Sequence, residues 1–294
     1  MRIALIYNPS SGRRVSLASL RELIEGEGHE LVRVIEHAAD ASGLADRPAE
    51  LVVAAGGDGT VADAVRVTAG RGVPLAILPV GTANNIAFSL GLRGPLERLA
   101  RGWHDAPMQP FDTGVLHGTN GPSRFVEGVG GGLVAACLTS FRRRPLGRGE
   151  QPSWQLMRAL RRYAQTLARL RPRAWSLTVD GSRRTGDFLL VEVLNTRAVG
   201  PNLEFAPGAS TSDGLLSVVT AREGDRQALA DYIANRLAGR EGRLELAAET
   251  AHCVEIDDPE ALHVDDELVQ VPGGVTASIR IAAAAVDVLV PPPA

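Results

Sequence analysis

Three short stretches carry residue types suited to phosphate and cation chemistry. The first is Gly56-Gly57-Asp58-Gly59-Thr60, behind the apolar run Leu51-Val52-Val53-Ala54-Ala55 and ahead of a helix-forming segment at 61–67. Glycine lets the backbone close on a ligand because no Cβ intervenes, and N–H groups at a helix start attract an anion. Asp58 cannot attract a phosphate. It suits a cation, or a water held between itself and phosphates, so the loop fits a nucleotide–Mg²⁺ complex. Taken alone, a plain strand-to-helix turn with Asp58 as a cap accounts for the same residues. The other two stretches are Asn8-Pro9-Ser10-Ser11-Gly12 and Gly81-Thr82-Ala83-Asn84-Asn85.

These stretches need elements to hold them. Residues 2–7, 31–35, 51–54 and 75–78 read as buried strands. Residues 17, 20, 23 and 24 are apolar at helical spacing within 15–27, and 83–90 reads as a helix. Strands alternating with helices imply a parallel sheet covered on both faces. All three polar stretches follow strands of that sheet, where ligands of such folds lie, so they should converge on one crevice.

After Asp112 the pattern changes. Residues 125–132, 175–179, 188–194, 215–220, 244–247, 253–256, 261–264 and 276–281 read as short strands, with a helix at 227–237 among them. That spacing implies an antiparallel sheet or sandwich. The expected fold is an α/β domain over 1–110, to which a strand at 286–290 (in 285–294) returns, and a β-sandwich domain over 111–284.

Composition narrows the function. A net charge of −3 gives no bulk attraction to nucleic acid. The chain contains no lysine, which rules out a GxxxxGK[ST] phosphate loop. Cys137 and Cys253 form no CxxC pair, and the six histidines show no metal-ligand spacing. The apolar start ends at Asn8-Pro9, too soon for a signal peptide. A cytoplasmic location is the default expectation.

The three stretches, in this order and spacing, resemble the diacylglycerol kinase catalytic-domain family. Ala206-Pro207-Gly208-Ala209 with Asp213-Gly214-Leu215-Leu216, and Val264-Asp265-Asp266-Glu267, resemble its later motifs. The resemblance spans nearly the whole chain and implies an ATP- and Mg²⁺-dependent lipid kinase with a nucleotide domain, a β-sandwich domain and a cleft between them. It implies ATP contacts from Asn8, Pro9, Ser10, Ser11, Gly12, Gly56, Gly57, Asp58, Gly59, Thr60, Gly81, Thr82 and Asn84. Asp58 would organise the Mg²⁺ water shell, with Asp112 in the same network. A structural Mg²⁺ would be held by Asp213, with carbonyls near Ser210 and Leu215. Asp265 and Glu267 match the residues that take the substrate hydroxyl proton, and at a separation of two on a strand they would share a face. Two positions depart from the family pattern: Asn85 where many relatives have Asp, and Asp266 in place of a Gly. Other acceptors (a sphingoid base, another lipid alcohol, NAD) and a silent lipid- or nucleotide-binding protein stay open.

From Phe141 to Arg173 there are ten arginines and one acidic residue, Glu150. Trp154, Leu156, Leu160, Tyr163, Leu167 and Leu170 give this stretch a helical apolar stripe. It reads either as a cover on the second domain with a solvated basic face, or as a docking face for the inner membrane surface. The sequence leaves the oligomeric state open, a homodimer included.

Overall fold

The structure, a computed structural model, describes residues 1–36, 49–119, 121–143 and 151–292. In the first third, β1 (Arg2–Tyr7), α1 (Leu17–Gly26), β2 (Glu30–Ile35), β3 (Leu51–Gly56), α2 (Asp58–Thr68) and β4 (Leu75–Pro79) alternate, followed by α3 (Asn85–Ser89) and α4 (Leu96–Arg101). The four strands pair in parallel in the order β2-β1-β3-β4. Every residue of β3 is buried, as expected for a strand covered on both faces. Ser16 caps α1 by accepting the Ser19 N–H, and Leu20 and Ile24 turn inward at helical spacing.

β5 (Met108–His117) and β6 (Ser123–Phe125) lead into β7 (Gly128–Gly132). Then come α5 (Leu133–Arg143), α6 (Pro152–Leu167), β8 (Arg173–Val179), β9 (Ser182–Phe188), β10 (Leu190–Leu194) and β11 (Leu216–Ala221). The chain ends with α7 (Arg226–Leu237), β12 (Ala247–Ala251), β13 (Cys253–Asp257), β14 (Ala261–Val264), β15 (Glu267–Gln270) and β16 (Thr276–Leu289). A six-stranded antiparallel sheet has the order β12-β11-β10-β7-β14-β15. The parallel sheet extends as β4-β16-β13-β8-β9, with β5 beside β16 and β6 beside β5. The 14-residue β16 makes this continuity: Val288 pairs in parallel with Leu75, and Ile279 pairs antiparallel with Val254. Phe125, Val129, Trp175, Val191, Ile256 and Ile279 fill the space between the two sheets. A separate core of Leu133, Leu160, Tyr163, Leu190 and Leu229 seats α5, α6 and α7 on the six-stranded sheet. Fold class thus follows the sequence: an α/β half with a mixed sheet, and a β-sandwich.

Several elements differ from the sequence reading. The expected strand at 125–132 is broken at Val126-Glu127, where the chain leaves one sheet for the other, and its continuation is helix α5. The expected strand at 244–247 is irregular over 244–246, and the pairing strand β12 begins at Ala247. Both β12 and the unforeseen β9 are polar and mostly exposed. They are edge strands held by backbone pairing on one side, so no apolar pattern marks them. Arg144, Arg148 and Glu150 of the basic stretch lie outside the described residues.

Candidate active site

The turn after β3 is built on glycine. Gly57 is extended ahead of α2, so Asp58 is the first helical residue rather than the cap. A Cβ on Gly81 would stand 2.2 Å from the Gly57 Cα, and one on Gly12 would stand 2.7 Å from the Thr82 Oγ1. Only glycine allows these approaches. The N–H of Arg13 donates to the Val80 carbonyl at 2.9 Å. The turns after β1, β3 and β4 therefore pack directly on one another. Asn84 sits at φ 57 and holds its own turn: its Oδ1 accepts the Gly81 N–H at 2.9 Å and its Nδ2 donates to the Gly81 carbonyl at 3.1 Å. Thr82 Oγ1 meets Gln155 Oε1 of α6 at 2.9 Å.

Beside this junction lies a cavity of about 280 Å³. It is lined by Asp58, Gly59, Thr82, Asn85, Glu127, Asp265 and Asp266 together with the apolar Val134, Leu138 and Val199 and the ring of Tyr163. Asn8 to Gly12 do not line it. Pro9 and Ser10 are exposed at the outer edge, and the Ser10 N–H donates to Asn8 Oδ1.

The acidic side is electrostatically loaded. Asp58 Oδ1 accepts the Ile86 N–H at 3.0 Å. Burial raises the Asp58 pKa, against the lowering effect of the N–H groups of Ile86, Asn85 and Asn84. Glu127, at the crossing between sheets, is pushed well above the usual carboxylate range, first by burial and then by the charges of Asp58 and Asp265. Asn85 is 2 % exposed. Its Nδ2 donates to Glu127 Oε2 at 3.3 Å and to the Gly200 carbonyl at 3.0 Å, while its Oδ1 has no partner.

Asp265 and Glu267 do not share a strand face, which corrects the sequence reading. Asp265 and Asp266 form the two-residue turn between β14 and β15, with Val264 paired to Glu267. Asp265 has φ 52, a conformation Asp tolerates better than most residues. Its Oδ1 accepts the N–H groups of Val126, Glu127 and Gly128 at 3.0, 2.8 and 3.3 Å, and its Oδ2 pairs with Arg66 Nη2 at 2.6 Å. Burial raises its pKa, opposed by the Arg66 charge and those N–H groups. Glu267 is exposed and, among the described residues, makes no side-chain hydrogen bond or ion pair. Beneath the turn, His263 Nδ1 donates to the Asp265 carbonyl at 2.9 Å, and its Nε2 lies 2.7 Å from Glu192 Oε2.

Asp112 is likewise not among the residues lining the cavity with Asp58. Its oxygens accept the N–H groups of Gly214 and Ala284, each at 2.7 Å, so it fixes the 210–214 loop to β16. Asp213 is exposed, and its Oδ1 accepts the Leu215 N–H at 3.0 Å. Among the described residues no group of three or more His, Cys, Asp or Glu is arranged to hold a metal. A Mg²⁺ ion needs only one or two carboxylates when phosphates and waters complete its shell. The carboxylates facing the cavity, with the unpartnered Asn85 Oδ1 beside them, fit such an ion.

Sequence reasoning missed Glu127 and Arg66. One signal was present: Glu127 is a lone carboxylate between apolar Val126 and the glycine-rich 128–132.

Comparison with known proteins agrees with this architecture. Residues 2–116 match the diacylglycerol kinase catalytic domain, and residues 154–290 match the YegS C-terminal NAD kinase beta sandwich-like domain. A diacylglycerol kinase of Mycobacterium tuberculosis strain H37Rv is 30% identical over 276 residues, 88% of this chain and 85% of that protein. A diacylglycerol kinase of Bacillus subtilis strain 168 is 30% identical over 246 residues, 79% of this chain and 76% of that protein. The crystal structure of a diacylglycerol kinase from Bacillus anthracis str. Sterne has a TM-score of 0.70 at 20% identity, covering 99% of this chain and 97% of that one, and so shares the fold. An α/β half joined to a β-sandwich of this type defines an NAD kinase-like phosphotransferase fold. Within it, this chain belongs to the diacylglycerol kinase catalytic-domain family and is a lipid kinase. Membership implies a nucleotide donor and a lipid substrate. Among the described residues no helix is long and apolar enough to cross a membrane.

Proposed function

We propose that the chain transfers the γ-phosphoryl group of ATP to the hydroxyl of diacylglycerol or a similar lipid, with Mg²⁺. The observation that carries this is one cavity whose lining combines a glycine-built helix N-terminus and carboxylates with Val134, Leu138, Tyr163 and Val199. The polar residues suit a nucleotide–metal complex, and the apolar ones suit acyl chains rather than a second nucleotide.

In this reading the 8–12, 56–60 and 81–84 turns border ATP, with Asn84 acting by shaping its turn. Asp58 would hold waters of a Mg²⁺ shell, and the ion, when bound, would supply neutralisation of charge on the phosphates. Glu267 accepts the hydroxyl proton as the lipid oxygen bonds to the γ-phosphorus and the bond to the ADP oxygen breaks. Such base catalysis is worth about 10²–10⁴-fold. Asp265 does not compete for that proton, because its oxygens already accept three N–H groups and pair with Arg66. It orients the hairpin that carries Glu267. A second ion at Asp213 would stiffen the loop that Asp112 anchors. Exposed Trp154, Arg161 and Arg169 support the α6 side as the face that meets the membrane.

Incubation with γ-labelled ATP, Mg²⁺ and a total lipid extract tests this. Label in a lipid extractable into organic solvent is the expected result. Label in NAD, or ATP binding without transfer, would overturn it.

A further inference from the structure

Glu127 is a strange residue for its place. It lies where the chain crosses between sheets, 7 % exposed, beside the carboxylates of Asp58 and Asp265. Burying a charge is costly unless it is paired, and no basic side chain pairs with Glu127 among the described residues. Its side-chain donor there is the amide of Asn85, at 3.3 Å. A glutamine of the same shape would accept that bond at no charge cost. The carboxylate is thus locally unfavourable, and such violations gather at functional sites.

Asn85 completes the observation. Its Nδ2 is turned to Glu127 and Gly200, which leaves its buried Oδ1 at the cavity wall without a donor. An oxygen with no partner and a carboxylate with no cation stand side by side on the wall that Asp58 shares. An amide oxygen can accept from a metal-bound water but adds no charge. We infer that Glu127 is the second carboxylate of the nucleotide–metal site: it supplies from the sheet crossing the charge that Asn85 does not, and Asn85 holds it in place. This rests on the proposed nucleotide–Mg²⁺ role of the cavity. Asp265 keeps Glu127 in position by binding its N–H and those on either side.

The test compares wild type, Glu127→Gln and the exchange variant Asn85→Asp/Glu127→Gln. Free Mn²⁺ is followed by electron paramagnetic resonance in the presence of a non-hydrolysable ATP analogue. Glu127→Gln should weaken Mn²⁺ binding by about 10–100-fold, the range for lost metal-supporting groups. It should keep or raise the Tm of the ligand-free protein, because a buried charge is gone. A merely structural Glu127 would lower Tm and leave Mn²⁺ affinity alone. The exchange variant should return Mn²⁺ affinity to near wild type and with it the Mg²⁺ dependence of turnover. Unchanged Mn²⁺ binding in Glu127→Gln, or an exchange variant that folds without recovering, overturns the inference. If Glu127→Gln does not fold, recovery of Mn²⁺ binding in the exchange variant supports it, and failure overturns it. Absence of lipid phosphorylation by wild type would overturn the proposed function instead, and the Mn²⁺ comparison would still decide the role of Glu127.

Discussion

Asp265 Oδ1 stands 2.8 Å from the backbone nitrogen of Glu127, and this contact joins the β14–β15 hairpin to the crossing between the two sheets. The same oxygen also accepts from Val126 and Gly128, so one carboxylate fixes three successive N–H groups. Asp265→Asn keeps an acceptor and tolerates the φ of 52, but gives up the charge facing Arg66. Asp265→Ala orphans the N–H groups, at about 1–3 kcal/mol for a buried donor left unsatisfied. Thermal melting should therefore rank wild type above Asn and Asn well above Ala. An Ala variant as stable as the Asn variant would show that the clamp does not form.

Asp58→Asn should leave the fold intact and stop turnover. The Asn Oδ1 can still accept the Ile86 N–H that Asp58 Oδ1 accepts, so the loop geometry survives while the charge is lost. Turnover should fall by about 10²-fold or more, the scale for a preorganised electrostatic group. A folded variant with near wild-type turnover would remove Asp58 from the metal site.

The convergence of the turns after β1, β3 and β4 was legible because their signals are local. Gly56 ends one buried strand and Gly57 and Gly81 follow buried strands closely, and the close approach of Gly57 and Gly81 demands glycine at Gly81. The acidic wall was not legible in the same way. Glu127 meets Asn85, 42 positions away, and Asp265, 138 positions away, and no local period reports such pairs. The Asp265-Asp266 dipeptide read as strand because it is flanked by strand residues. In the structure its left-handed first residue makes it a hairpin turn, a conformation to which Asp is well suited. β9 and β12 lacked an apolar signature because each is paired along one edge and open to solvent.

Glu267→Gln should lower kcat by about 10²–10⁴-fold with nucleotide affinity nearly kept, since Glu267 belongs to none of the loops that border ATP in the proposed reading. Asp266→Asn is the control on the adjacent turn residue. A large loss confined to Asp266→Asn would move the proton acceptor one position toward the cavity wall, where Asp266 lies.

The buried His263–Glu192 pair gives a pH dependence of stability. Burial pulls the His263 pKa down, but Glu192 and the Asp265 carbonyl carry it above its ordinary value. Burial raises Glu192 as well. Both groups hold protons more tightly folded than unfolded, so both contribute stability that is lost as pH rises. For His263 the contribution is full below about pH 6.5, the unfolded value, and declines through the raised folded value. In Glu192→Gln burial, the largest influence on His263, is opposed only by Asp265, so charging His263 is less favourable to folding than in wild type. The Tm gap between wild type and variant should be wide at about pH 5.5 and narrow toward about pH 8.5. A gap that is flat or grows with pH would contradict the pairing.

Membrane attachment through the α6 side should depend on only part of the basic stretch. Arg162 Nη1 donates to the Ser140 carbonyl and Oγ at 3.0 and 2.8 Å, with its guanidinium over the Phe141 ring, so it braces α5 against α6. Arg173 pairs with Glu260 and lies over Trp175. Arg161 and Arg169 are exposed, and Trp154 is 59 % exposed near the start of α6. Arginines near an anionic leaflet contribute about 1 kcal/mol each, so Arg161→Gln/Arg169→Gln should weaken vesicle binding by about thirtyfold. Added salt should erase the difference, because the screening length falls to about 3 Å at 1 M. Trp154→Ala should weaken binding with little salt dependence, since its contribution is apolar. Turnover on a short-chain lipid dispersed in detergent should change far less in both variants. Co-sedimentation with anionic vesicles over a salt series decides the matter: if the double arginine variant sediments like wild type at low salt, α6 is only a cover on the second domain and the membrane meets another face.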